Sequence, residues 1–238
     1  MPLGLPDWKG LLTKLNGSPM PGYSPLAPPR SPRTSPTRSA PIDCTPKVAE
    51  LTAISDVSPA HLLLAGLGVR QNVTTNYDLA YESALSGTRG TDGYQTLARE
   101  LAVQPKTWLL KIHGDARRPD SIVLTTSDYA RLESEHRAML AVIETLLLTS
   151  HLLFVGYSLE DDDFTEAADR VRRIRALADE PSEDHFATVL ALHPDSVKPQ
   201  VGLTTIPMLE STDTLAAARR LEIFLDRVSW AAARGPTL

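Results

Sequence analysis

The chain has 238 residues, 42% of them hydrophobic and 22% charged, with a formal net charge of -5. That is an ordinary globular composition with enough apolar mass for a sizeable core, and its acidic balance excludes global attraction to nucleic acid or an anionic membrane, which needs a basic surface. Cys44 is the single cysteine, so internal disulfides and a cysteine-based zinc site are excluded. Apolar runs such as Leu152–Gly156 are far shorter than the ~20 residues of a membrane helix. The N-terminus holds Pro2, Pro6 and Asp7 and lacks a basic start before an apolar stretch, so no secretory leader is read and the cytoplasm is the expected compartment.

In chain order, residues 1–15 form a short opening piece. Residues 16–47 then hold nine of the chain's 19 prolines, among many Ser, Thr and Arg. Proline removes backbone donors, and the segment has too little apolar area to offset chain entropy. It reads as a disordered or polyproline-like insertion. A plain surface loop, a ligand for a proline-binding module and a stretch translated out of frame all fit its composition.

Residues 48–238 are expected to form the main domain. Ser58-Pro59 is a helix start, with Ala60–Leu67 as the helix and Gly68 as its stop. Gln71–Thr75 reads as a strand and Leu79–Leu85 as a helix. Ser86–Gly93 reads as a turn region, Tyr94–Leu101 as a helix, Trp108–Ile112 as a strand and Ser121–Leu124 as another. Ser127 caps a long helix from Asp128 to about Thr149. Leu152–Val155, Ala187–Leu192 and Thr204–Met208 are strands, and Thr214–Ala232 is the terminal helix. Apolar strand runs alternating with helices argue for a Rossmann-like α/β fold, a parallel sheet with helices on both faces.

Three of the strands end alike. Val73-Thr74-Thr75 leads into Asn76-Tyr77-Asp78, Leu109–Ile112 into His113-Gly114, and Leu152–Val155 into Gly156-Tyr157-Ser158. Open parallel sheets bind ligands at the carboxyl ends of their strands. Each signal has a structural alternative: Asn76 as a helix cap, His113 as a satisfied structural residue, Gly156 as a close-packing position. The acidic run Glu160–Asp163 reads as a helix-starting turn rather than a metal loop, and Arg170–Arg175 as a solvated basic face.

Thr75-Asn76-Tyr77-Asp78, His113-Gly114 and Gly156-Tyr157-Ser158 resemble, in order and spacing, the motifs of sirtuin-fold NAD-consuming domains. Within TTNYD, KIHG, SIVLTTSDY and LLFVGYSLEDDDF the similarity is greater to the bacterial sirtuin-like branch, whose members are NAD glycohydrolases and antiphage defence effectors. Gly4-Leu5-Pro6-Asp7-Trp8 resembles the element that follows the family's first phosphate-binding loop. Only three residues precede it, so the first strand and its Gly-Ala-Gly turn are expected to be missing.

The resemblance implies NAD as substrate, with no zinc. It implies that Asn76 orients the attacking water, His113 acts as base near the ribose hydroxyls, and Asp78 holds the nicotinamide carboxamide. Pro6, Asp7, Thr75, Gly114, Gly156, Tyr157 and Ser158 would complete the NAD-binding set. It also implies control through a homo-oligomer or a separate sensor protein, with no nucleic acid or membrane partner. Two other functions stay open. One is a non-catalytic module that binds NAD, ADP-ribose or a partner; the other is a protein deacylase, for which one cysteine cannot supply the usual four-cysteine zinc module.

Overall fold

The structure, a computed structural model, describes Leu11 and residues 45–97, 107–124, 128, 137–159, 162–177, 186–197 and 202–234. The expectations for Pro6, Asp7, Ser127 and most of the proline-rich range 16–47 lie outside those residues; Thr45–Lys47, its last three, open a helix. The chain divides into two compact units, Met1–Glu135 and His136–Leu238.

In the first unit, β1 (Gln71–Thr74), β2 (Tyr94–Leu97) and β3 (Thr107–Lys111) form a parallel sheet in the order β1-β3-β2. The central strand, Thr107-Trp108-Leu109-Leu110-Lys111, is buried along its whole length, as a parallel strand with two neighbours requires. Helices α1 (Thr45–Thr52), α2 (Pro59–Gly66) and α3 (Ala80–Arg89) accompany it. The α2 start is fixed by Pro59 at the first helical position and by His61, whose Nδ1 accepts the Ser58 backbone N–H at 3.2 Å. Ala65 of α2, Ala84 and Leu85 of α3 and Leu109 of β3 meet in one apolar cluster. Val48 and Ala49 of α1 form a second with Leu11, Tyr77, Ala116, Ile122 and Leu124. The second cluster takes in Tyr77 and Ala116, from the loops that follow β1 and β3.

In the second unit, β4 (Leu152–Val155), β5 (Ala187–Ala191) and β6 (Leu203–Pro207) form a parallel sheet in that order. Its helices are α4 (Arg137–Thr149), α5 (Asp162–Arg175) and α6 (Thr214–Ala233). Met139, Leu140, Ile143 and Leu147 on one face of α4 are buried. Arg170 of α5 bridges to Glu144 of α4 at 2.6 Å, and Arg175 donates to the Leu147 and Leu148 carbonyls at 3.0 and 3.2 Å, satisfying the end of α4. Asp213 caps α6 by accepting the Ala216 N–H at 3.0 Å.

The parallel α/β class expected from the sequence is present in both units. Three local expectations are corrected. Tyr94–Leu97 is a strand rather than the start of a helix, held by its register against Thr107–Leu110; a four-residue segment has little helical propensity to set against a ladder of backbone hydrogen bonds. Ser121–Leu124 is not a strand: Pro119–Ser121 makes one 3-10 turn, and Ile122–Leu124 is buried chain with no strand partner among the described residues. Helix α3 also runs on to Arg89, into the stretch expected to be a turn, before Gly90 ends it at φ 75°. Among the described residues no helix is long and apolar enough to cross a membrane.

Candidate active site

Thr74 stands opposite Lys111 in the parallel register of β1 and β3, and the Ile112 N–H donates to the Thr74 carbonyl at 3.0 Å. The two strands therefore release Thr75-Asn76 and His113-Gly114 side by side at their carboxyl ends. The loops that follow are tied together. The Ala116 N–H donates to the Tyr77 carbonyl at 2.9 Å, the Tyr77 hydroxyl donates to the Val123 carbonyl at 2.6 Å, and the Val123 N–H donates to the His113 carbonyl at 2.9 Å. Tyr77 is thus a buried strut between the asparagine and the histidine. Gly114 adopts φ 103°, and a Cβ there would stand 2.4 Å from the Ser121 carbonyl oxygen. Only glycine permits both that conformation and that close approach.

Asn76 is exposed, and its backbone N–H is held by the Thr74 hydroxyl at 3.1 Å. It does not cap the following helix. Helix α3 begins at Ala80, and the Ala80 N–H is satisfied instead by Asp78 Oδ1 at 2.9 Å. Asp78 is half-buried, whereas Asn76 is exposed. Thr75 is half-buried beside it, while His113 and Gly114 are buried, His113 with 8% of its surface exposed.

Gly156, Tyr157 and Ser158 follow β4 in the second unit. Gly156 is exposed at φ 67° with open space where a Cβ would be. The Tyr157 ring stacks on Phe154 at 5.9 Å and meets Phe164 edge-on at 5.7 Å, which fixes its direction. Ser158 is half-buried, and the buried Leu159 is held at φ 60°. A left-handed non-glycine residue costs roughly 1–2 kcal/mol, so packing of this loop holds a strained backbone at a strand end. Nothing in the sequence around Leu159 marks that strain.

Four charged residues of the first site have no counterpart in the sequence reading. Lys111 and Glu82 pair at 2.8 Å with 0% and 5% of their side-chain surface exposed. Asp115 pairs with Arg117 at 2.6 Å, and Arg117 also reaches Glu82 at 3.4 Å. Burial pushes the Asp115 carboxyl up, but the Arg117 hydrogen bonds and the Lys111 charge outweigh it and hold it below the usual carboxylate range. The hydrogen bond to Asp115 in turn raises Arg117. The one signal in the sequence was a lysine closing an otherwise apolar strand, which demands a buried partner. Burial lowers His61, against an opposing pull from Asp78. Among the described residues no group of three or more His, Cys, Asp or Glu could hold a metal ion.

Residues 70–201, more than half of the chain and including all of β1 through β5, match the SIR2-like domain model. The chain belongs to the SIR2-like domain family. That bears out the sirtuin-like resemblance carried by TTNYD, KIHG and FVGYS. The SIR2-like chain is similar to NAD(+) hydrolase ThsA of Bacillus cereus (strain MSX-D12), with 29% identity over 120 residues, 49% of this chain and 25% of that protein. It is similar to NAD(+) hydrolase ThsA of Cytobacillus dafuensis, with 26% identity over 142 residues, 58% of this chain and 28% of the relative. Defense-associated sirtuin 2 of Bacillus subtilis is 27% identical over 124 residues, 50% of this chain and 12% of its own length. The chain therefore spans about a quarter of the ThsA relatives it matches and less of the defence sirtuin.

Proposed function

We propose that this SIR2-like chain hydrolyses NAD+ to nicotinamide and ADP-ribose. The observation that carries the reading is the exposed Asn76 amide at the end of β1, laced through Tyr77 to His113 at the end of β3. Membership of the family and the similarity to the NAD(+) hydrolases ThsA support it.

The chemistry matches those groups. Nicotinamide leaves the ribose carbon with the bonding electron pair and becomes neutral, so the leaving group needs no acid. Positive charge then builds on the ribose, and a site of fixed dipoles with no competing cation at the reacting carbon stabilises it. Asn76 orients the water that attacks that carbon, and His113 takes up a proton near the ribose hydroxyls as the new C–O bond forms. Asp78, with one oxygen committed to Ala80, offers the other to the nicotinamide carboxamide. The family resemblance adds Thr75, Gly114, Gly156, Tyr157 and Ser158, and Pro6 and Asp7 outside the described residues, to the NAD contacts. Similarity to defense-associated sirtuin 2 of Bacillus subtilis supports a role in defence; a homo-oligomer or a separate sensor protein would then control the activity, in the cytoplasm.

Nicotinamide release from NAD+ by the purified protein tests the reading. We expect His113→Ala to lower kcat by roughly 10²–10⁴-fold, the usual worth of general acid–base help. Activity that survives both Asn76→Ala and His113→Ala would overturn the assignment. Binding of ADP-ribose without turnover would instead favour a non-catalytic module, and acyl-lysine turnover a deacylase.

A further inference from the structure

Lys111 has no solvent exposure, yet it carries a charge into the core two residues before His113. Its ammonium has three donors, and three acceptors receive them: the Tyr77 carbonyl at 3.1 Å, the Asp78 carbonyl at 2.5 Å and Glu82 Oε1 at 2.8 Å. Two of the three are consecutive backbone carbonyls of the loop that follows Asn76. The third belongs to the first turn of α3, the helix that this loop enters. The ammonium is therefore fully committed and is not available as a nucleophile or a base.

The arrangement is a poor choice for stability alone. Burying an ion pair is often no better than filling the same volume with apolar side chains. Here the penalty is larger, because Glu82 Oε2 is buried and makes no hydrogen bond among the described residues. A buried polar atom left unpaired costs about 1–3 kcal/mol. Methionine at 111 and leucine at 82 would fill the space without that penalty, but they would remove the Lys111 donor from the Tyr77 and Asp78 carbonyls. What the charged pair does, and an apolar pair cannot, is fix the direction of the Tyr77-Asp78 peptide relative to β3.

We propose that Lys111 is a positioning residue, charge-balanced by Glu82, whose ammonium clamps the Tyr77-Asp78 peptide and so sets Asn76 and Asp78 against the His113 end of β3. The role in turnover rests on the NAD-hydrolase reading; the clamp itself does not. It acts only through the backbone of the loop, touching neither the substrate nor the reacting atoms.

The test compares the full chain with Lys111→Met and with the double variant Lys111→Met/Glu82→Leu. The single variant leaves the buried Glu82 carboxylate with only the half-exposed Arg117 at 3.4 Å and is expected to unfold at much lower denaturant. The double variant removes both charges and is expected to recover most of that loss. Two readouts are then taken on the double variant. Amide hydrogen exchange should accelerate across residues 74–80 while β3 stays protected. In nicotinamide release, kcat should fall by roughly 10–100-fold with a much smaller change in KM, because a small misplacement of a positioned group costs that order in rate.

Unchanged exchange across residues 74–80 overturns the clamp, whatever the activity. Faster exchange with wild-type kcat overturns the positioning role. Faster exchange in a protein whose wild-type form releases no nicotinamide upholds the clamp and removes the NAD-hydrolase reading instead.

Discussion

Replacing Gly114 with alanine tests the close backbone approach between the histidine loop and Ser121. The new Cβ would lie 2.4 Å from the Ser121 carbonyl oxygen, 2.6 Å from its carbon and 2.8 Å from Ile122 Cα. All three are backbone atoms, so no side chain can swing away, and the Val123–His113 hydrogen bond at 2.9 Å ties the same segment in place. The backbone at φ 103° adds a conformational cost of roughly 1–2 kcal/mol for a residue with a Cβ. Forcing atoms into a packed site costs about 1–3 kcal/mol more. We expect Gly114→Ala to lose about 2–5 kcal/mol in urea unfolding, the sum of those two contributions.

Gly68 supplies the control in the same unit. It sits at φ 79° with no atom within 4 Å of a Cβ, so Gly68→Ala should cost only the conformational part, roughly 1–2 kcal/mol. Equal losses for the two variants would refute the close-approach argument and leave backbone conformation as the whole effect.

Asn76→Ala should abolish most nicotinamide release, by roughly 10²-fold or more, while leaving the thermal midpoint unchanged, because the exposed amide makes no hydrogen bond among the described residues; calorimetry and turnover on one preparation check both. Glu82→Ala alone should be far more damaging, by about 3–5 kcal/mol, since it leaves the buried Lys111 charge without its carboxylate; denaturant unfolding measures this. The His61 imidazole has its pKa lowered by burial below the ordinary 6.5, so the unfolded chain takes up the proton first. The stability held by the neutral ring is complete above pH 6.5 and is lost as pH falls through the lower folded value. The gap in thermal midpoint between wild type and His61→Gln should shrink from pH 7.5 to pH 5, and a constant gap would refute the link.

The motif order read from the sequence, TTNYD then HG then GYS, led to the SIR2-like family because these residues are local. A strand end, a glycine turn and a helix start are each written in adjacent positions. The parallel α/β class was legible for a similar reason: short apolar runs between helical patterns leave few other ways to bury both sheet faces. The sequence offered Asn76 as the possible helix cap, whereas Asp78 satisfies the start of α3. A shift of two residues in where a helix begins depends on tertiary packing rather than on cap propensity.

Other features depended on contacts between distant positions. Tyr94–Leu97 became a strand because β3, in register from Thr107 onward, offered it a ladder. Gly114 is required by a carbonyl seven residues further on, Ser121. Lys111 meets Glu82 across 29 positions and the Tyr77 carbonyl across 34. Sequence patterns fix what lies next to what along the chain and which face is apolar. Which buried charge finds which partner is decided only when the strands and helices pack, because an unpaired ion in the core is too costly for any other arrangement to persist.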